Sequence, residues 1–232
     1  MRSTRKATQS VLVVAAHPDD EVLGCGGTLA RMASEGHDVH LLLLADGETA
    51  RPRVKPSSKL AIRNAAADAA REIMGCSSVE VLGLPDNRLD SLDLLDVVKP
   101  IEAAVLRYAP GVVFTHHAGD VNIDHRIAHD AVLAACRPQP HHPVRQLLFF
   151  EVASSTEWRP PASSLSFVPN WFVDISATLD KKLAALQAYD SELREFPHPR
   201  SLKGIEALAR WRGATIGVDA AESFILGRNI VR

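Results

Sequence analysis

Short, almost uninterrupted apolar runs alternate with longer stretches of helical periodicity along the first two thirds of the chain. VLVVAA (11–16), HLLLLA (40–45), VEVLGL (79–84) and GVVFTH (111–116) have the length and β-branched content of strands. The segments 28–34, 58–74, 92–108 and 124–136 that follow them have the spacing of helices. Strands that are apolar at consecutive positions must be covered on both faces. The alternation therefore predicts the α/β class: a doubly wound, Rossmann-like, mostly parallel sheet with helices on both faces. Pro100 falls inside the third helical segment and is expected to kink or split it, because proline removes a backbone donor and crowds the preceding turn. QLLFFE (146–151) and WFVDIS (171–176) predict further strands, separated by a loop rich in Pro and Ser that includes Arg159, Pro160 and Pro161. Helices are predicted over 179–189 and 202–211, so the last third of the chain extends and covers the sheet, with loops free to shape a cleft.

With 232 residues, 46% hydrophobic and 23% charged, the chain is long enough for one well-buried core. It is read as a single domain over 1–232, with 1–9 as a tail ahead of the first strand. The basic segment MRSTRKATQ runs into VLVVAA and at once into HPDDE, which is too short an apolar core for export or for a membrane span. A formal net charge of -2, spread over both signs, builds no field for nucleic acid or an anionic membrane. A small-molecule partner is expected instead. Cys25, Cys76 and Cys136 stand far apart with no CxxC, which argues against a disulfide framework and a thiolate zinc site and fits a reducing, cytoplasmic setting.

In a doubly wound sheet, ligands bind beyond the carboxyl ends of the strands where strand order reverses, here between the first and fourth strands. Both ends carry unusual residues. The first runs into His17-Pro18-Asp19-Asp20-Glu21, and the fourth into the loop from His116 and His117 through Gly119 and Asp120 to Asn122-Ile123-Asp124-His125. Four ionisable groups within residues 17–21 repel one another and lose hydration at a buried strand end unless a cation neutralises them. A divalent cation does so. His17 and Asp20, three apart at a strand-to-helix turn, and His125 from the second loop make a His-Asp-His set with positions left for water, the pattern of a catalytic zinc. A solvated turn with an aspartate helix cap is the competing account of HPDD, and a second acidic, histidine-bearing loop at the same switch point weighs against it.

AHPDDE after the first strand, with a downstream box ending in Asp124-His125, resembles the PIG-L/LmbE-like zinc N-acetylglucosaminyl deacetylases, whose signature is an AHPDDE box followed by an HPDH box. The likeness runs from about residue 11 to residue 136 in order and spacing. It implies hydrolysis of the acetamide of an N-acetylated amino sugar or its conjugate, releasing acetate and a free amine. It further implies Zn2+, or another divalent metal such as Fe2+, on His17, Asp20 and His125, with Asp19 as general base and Arg63 and Asp86 against sugar hydroxyls. A homo-oligomer is compatible with the family. One position departs: Asn122 stands where the family box begins with His. Asn122 can donate a hydrogen bond to the oxyanion but cannot deliver a proton to the leaving amine. Either Asp19 then works as both base and acid, or His116 or His117 supplies the proton.

The remaining motifs have two readings each. Asp124 either orients a ligand imidazole or caps the following helix. His129, four after His125, opens an HxxxH pair that ranks below the first set because Asp20 already supplies the third ligand. For Arg63 the alternative is a surface salt bridge. Asp46-Gly47-Glu48 reads as a turn, and Arg194 and Arg212 either face an anionic part of a substrate or are solvated. GCGG (24–27) does not complete GxGxxG, so close helix-to-strand packing is expected there, with Cys25 as a small buried neighbour. Two competing functions use the same residues: a mononuclear non-haem iron oxygenase, and a non-catalytic sugar- or nucleotide-binding module.

Overall fold

Along the first strand, β1 (Ser10–Ala15), consecutive side chains enter different cores: Val11, Val13 and Ala15 pack into one, Leu12 and Val14 into the other. The computed structural model describes residues 8–47, 56–161 and 165–231. After β1 come α1 (Asp20–Ser34), β2 (Asp38–Ala45), α2 (Pro56–Met74), β3 (Ser78–Leu84), α3 (Leu94–Tyr108), β4 (Val112–His116) and α4 (Ile123–Ala135). They are followed by β5 (Gln146–Phe150), β6 (Trp171–Asp174), α5 (Leu179–Gln187), α6 (Leu202–Ala214) and β7 (Ala221–Asn229). The strands form one seven-stranded sheet in the order β3-β2-β1-β4-β5-β7-β6. β1 to β5 pair in parallel, and β7 lies antiparallel between β5 and β6. One face is covered by residues of α1, α2, α5 and α6, such as Leu29, Met74, Leu186 and Ile205, the other by residues of α3 and α4, such as Ile101 and Val132. β1 and β4 are neighbours, and the order runs outward from them in both directions. The crevice of the doubly wound fold therefore opens beyond their carboxyl ends.

Several elements differ from expectation, each for a physical reason. α1 starts at Asp20 instead of near residue 28, and it contains a break at Cys25 (φ -147). The amides that the break releases are taken by a distant carboxylate: Gly27 N–H donates to Glu222 Oε1 at 3.0 Å and Thr28 N–H to Oε2 at 2.7 Å. Lys182, buried beside them, neutralises Glu222 at 2.5 Å. The helical pattern from residue 28 is thus the second half of a longer helix, re-capped from β7. Pro100 neither splits nor ends α3; it leaves only the carbonyl of Asp96 without its helical donor, and Asp96 is exposed to water. The apolar pattern does not predict β7, because its stretch FIL is short; pairing on both sides makes it a strand.

Close packing explains the glycines of GCGG. A Cβ on Gly24 would lie 2.3 Å from the Phe150 ring, and one on Gly27 would lie 2.7 Å from Ile175. Cys25, Cys76 and Cys136 are buried free thiols. The expected tail over 1–9 ends before Gln9, whose N–H donates to His37 Nδ1 at 3.0 Å; residues 1–7 lie outside the described residues, as does Glu48 of the Asp46-Gly47-Glu48 turn. Among the described residues, no helix is long and apolar enough to cross a membrane.

Candidate active site

The turn from β1 into α1 is built by its own carboxylates. Asp20 Oδ2 accepts the backbone N–H of His17 at 2.9 Å, and Glu21 Oε2 accepts that of Asp19 at 3.0 Å. The second bond holds Asp19 at φ 114, a left-handed conformation that costs a non-glycine residue on the order of 1 kcal/mol or more. Glu21 is fully buried, and its other oxygen meets the Tyr189 hydroxyl at 2.6 Å. Burial pushes the Glu21 carboxyl up to about 8, against the opposing pull of the Tyr189 hydrogen bond.

Asp20 is the centre of the site. His17 Nδ1 lies 3.1 Å and His125 Nε2 3.2 Å from the same atom, Asp20 Oδ2, and all three residues are buried. The far nitrogen of each ring meets another carboxylate. His17 Nε2 lies 3.0 Å from Asp124 Oδ2 and 3.2 Å from Asp86 Oδ1, and His125 Nδ1 lies 3.1 Å from Asp120 Oδ2. His17, Asp20 and His125 thus have ligand atoms within 4.8 Å of one another, as do His17, Asp86 and Asp124. Asp124 also accepts the backbone N–H of Asn87 at 2.7 Å and of Leu89 at 2.9 Å, while Asp120 accepts the hydroxyls of Ser155 and Thr156.

The electrostatics follow from this packing. Burial opposes charge on His17, but its hydrogen bonds to Asp124, Asp20 and Asp86 win and raise it well above the usual imidazole value. His125 is likewise raised, to about 9, because Asp20 and Asp120 outweigh its burial. Burial also disfavours charge on Asp20, yet His125 and His17 hold it well below the ordinary carboxylate range. The surrounding carboxylates therefore favour positive charge at this cluster, and a divalent cation held by His17, Asp20 and His125 would supply it. Imidazole and carboxylate donors, each imidazole braced at its far nitrogen by a carboxylate, fit a catalytic zinc.

Asp19 lies beside this cluster, in a cavity of ≈ 480 Å³ lined by His17, Asp20, His125, Arg63, Asp86, Asn122, Glu192, Arg200 and Trp158 among others. Burial raises its carboxyl to about 6, and Arg200, whose Nη1 lies 3.2 Å from Asp19 Oδ2, pulls in the opposite direction. Arg200 also donates from Nε to Ser154 Oγ at 3.1 Å. Arg63 is buried and paired with Glu192 inside the cavity, so the surface salt bridge is not its role. Asp86, buried at the carboxyl end of β3, reaches the same cavity.

Asn122, and not Asp124, caps α4: its Oδ1 accepts the Asp124 N–H at 2.8 Å and its Nδ2 donates to Asn87 Oδ1 at 3.2 Å. Asp124 braces an imidazole, but that of His17 and not of its neighbour His125. His129 joins neither metal-spaced group; its Nδ1 bonds the His116 carbonyl at 2.8 Å. His116 Nε2 accepts the Ala16 N–H at 2.8 Å, and burial, reinforced by His125, drops its pKa well below the usual value. His117 Nε2 is bonded to the Leu165 carbonyl at 2.7 Å. Arg194 bonds the carbonyls of Ser191 and Leu193, and Arg212 is paired with Glu151, so neither lines this cavity. No motif in the sequence marks Glu192 or Arg200, and Asp120, the partner of His125, shows there only as an acid in the second loop.

Comparisons with known proteins identify the family and the fold. The PIG-L family, described as GlcNAc-PI de-N-acetylase, matches residues 12–136. The uncharacterized deacetylase YaiS of Escherichia coli (strain K12) is 29% identical over 82% of this chain and 95% of its own. The diacetylchitobiose deacetylase of Thermococcus kodakarensis is 26% identical over 81% of this chain and 71% of its own. Among solved structures, the conserved protein TT1542 from Thermus thermophilus superposes with a TM-score of 0.76 at 30% identity, covering 97% of both chains.

Proposed function

Because the chain belongs to the PIG-L, GlcNAc-PI de-N-acetylase family, we propose that it is a zinc-dependent deacetylase that hydrolyses the acetamide of an N-acetylated amino sugar or its conjugate. The observation that carries this reading is the convergence of His17 Nδ1 and His125 Nε2 on Asp20 Oδ2, with the Asp19 carboxylate in the same cavity. His17, Asp20 and His125 would hold the ion, which when bound supplies Lewis-acid polarisation of the amide carbonyl and acidifies a water. Asp19 takes a proton from the attacking water. Above pH of about 6 its carboxyl is ionised and ready to do so. Attack places negative charge on the carbonyl oxygen, and Asn122, held by Asp124 and Asn87, keeps a second amide hydrogen to donate towards it.

The leaving nitrogen needs a proton before the C–N bond breaks. Asn122 has none to give, His116 is neutral and its Nε2 is used as an acceptor, and His117 is engaged by Leu165. That leaves Asp19, which returns to nitrogen the proton it took from water, so acetate and a free amine depart. Arg63 and Asp86 both line the cavity, which supports a role for them in binding hydroxyls of the sugar. The family match and the deacetylase relatives favour neither an iron oxygenase nor a non-catalytic binding module.

Acetate release from N-acetylglucosamine, diacetylchitobiose and lipid- or nucleotide-linked N-acetylglucosamine, with zinc supplied, tests the proposal. Release from at least one of them, abolished by Asp19→Asn, is expected. An Asp19→Asn variant with normal turnover contradicts the role of Asp19, and no release from any of them contradicts the function.

A further inference from the structure

The floor of the cavity is made of charged and polar groups, yet among the described residues its lining includes one large aromatic side chain, Trp158, which is 54% exposed. Trp158 ends a short 3-10 turn, Thr156–Trp158, and that turn is fastened at several points. Thr156 Oγ1 donates to Asp120 Oδ2 at 2.7 Å, Glu157 accepts the backbone N–H groups of Ser154 and Ser155, and Trp158 N–H donates to the Ser155 carbonyl at 3.2 Å. The indole itself packs T-shaped against the His198 ring, with centroids 5.8 Å apart and planes at 83°. Asp120 is also the carboxylate that braces His125. The segment that carries the exposed indole is therefore tied to the residue that orients the candidate metal ligand.

A pyranose ring offers two kinds of surface: a rim of hydroxyls and faces made of C–H groups. The rim is met by carboxylates and guanidiniums such as Asp86 and Arg63; a C–H face is best met by an aromatic plane, which is apolar, polarisable and held by few rotatable bonds. We propose that Trp158 is the stacking platform for a pyranose ring of the substrate, fixing the sugar in register with Asp19 and the metal-ligand set. This rests on the deacetylase reading for the reaction, and on the cavity alone for the binding. An indole that meets the sugar in ground and transition state alike contributes to KM and hardly to kcat.

The test has a kinetic and a binding arm, both on the full chain with zinc and diacetylchitobiose. Trp158→Ala and Trp158→Leu are expected to raise KM by roughly 3- to 10-fold with kcat changed less than about twofold, while Trp158→Phe, which keeps an aromatic face, stays near the parent. For binding, Trp171→Phe and Trp211→Phe in an Asp19→Asn background leave Trp158 as the one indole of the three in the chain, and diacetylchitobiose should shift its fluorescence saturably. A fluorescence shift without acetate release by the parent keeps the platform and overturns the deacetylase reading. Acetate release with an unchanged KM in Trp158→Leu keeps the enzyme and overturns the platform, and neither signal overturns both.

Discussion

Asp124 Oδ2 stands 3.0 Å from His17 Nε2, the nitrogen facing away from Asp20, so an acid 107 residues further along the chain fixes the ring of the first box. A carboxylate in that place sets the tautomer and the basicity of a ligand imidazole. Asp124→Asn is therefore expected to weaken zinc binding by about 10- to 100-fold, read by competition with a chromophoric chelator. Unchanged affinity in a folded variant contradicts the bracing role.

Arg200 counteracts the effect of burial on Asp19. The neutral carboxylic acid cannot accept a proton, so kcat/KM should rise with pH through about 6, where Asp19 ionises. Arg200→Met removes the cation 3.2 Å away and should move that limb to higher pH, while activity at its plateau persists in part. A limb that stays in place, or moves to lower pH, contradicts the pairing.

Glu21 offers a separate test, on stability. Its ordinary value is 4.5 and burial raises it to about 8 in the folded chain. Between those two values the folded state binds the extra proton, so this group subtracts stability as pH rises through the window. Glu21→Gln mimics the protonated acid: its amide can donate to the Tyr189 oxygen while its carbonyl accepts the Asp19 N–H. Relative to the parent, the variant should gain more than about 1 kcal/mol on going from pH 5 to pH 9 in urea denaturation. A difference independent of pH contradicts the buried-acid account.

Gly24→Ala places a methyl group where the Phe150 ring already lies, 2.3 Å from the ideal Cβ. Overpacking of this kind costs about 1–3 kcal/mol, visible as a lower urea midpoint with an unchanged slope. A neutral substitution means that α1 does not sit on the sheet as closely as described.

Much of this was legible in the sequence because it is local. The apolar strands, the crevice between the first and fourth of them and the residues His17, Asp20 and His125 follow from runs and short motifs whose chemistry lies within a few positions. What escaped is long-range. α1 begins at Asp20 and not near residue 28, and the carboxylate that re-caps the helix beyond its break, Glu222, is 194 residues from Thr28 in the chain. Arg200 reaches Asp19 across 181 residues, and nothing near either one announces the other. Asp124 read equally well as a brace or a cap, since both uses begin at a helix N-terminus, and only the fold shows that Asn122 took the cap.

In the proposed function, the loops after β1 and β4 close around one divalent ion in a hydrolytic site. Anomalous diffraction at the zinc edge from crystals grown with zinc tests it most directly. The expected result is one strong peak within coordination distance of His17 Nδ1, Asp20 and His125 Nε2. A peak instead on the far side of His17, between Asp86 and Asp124, or no peak near His125, would contradict it.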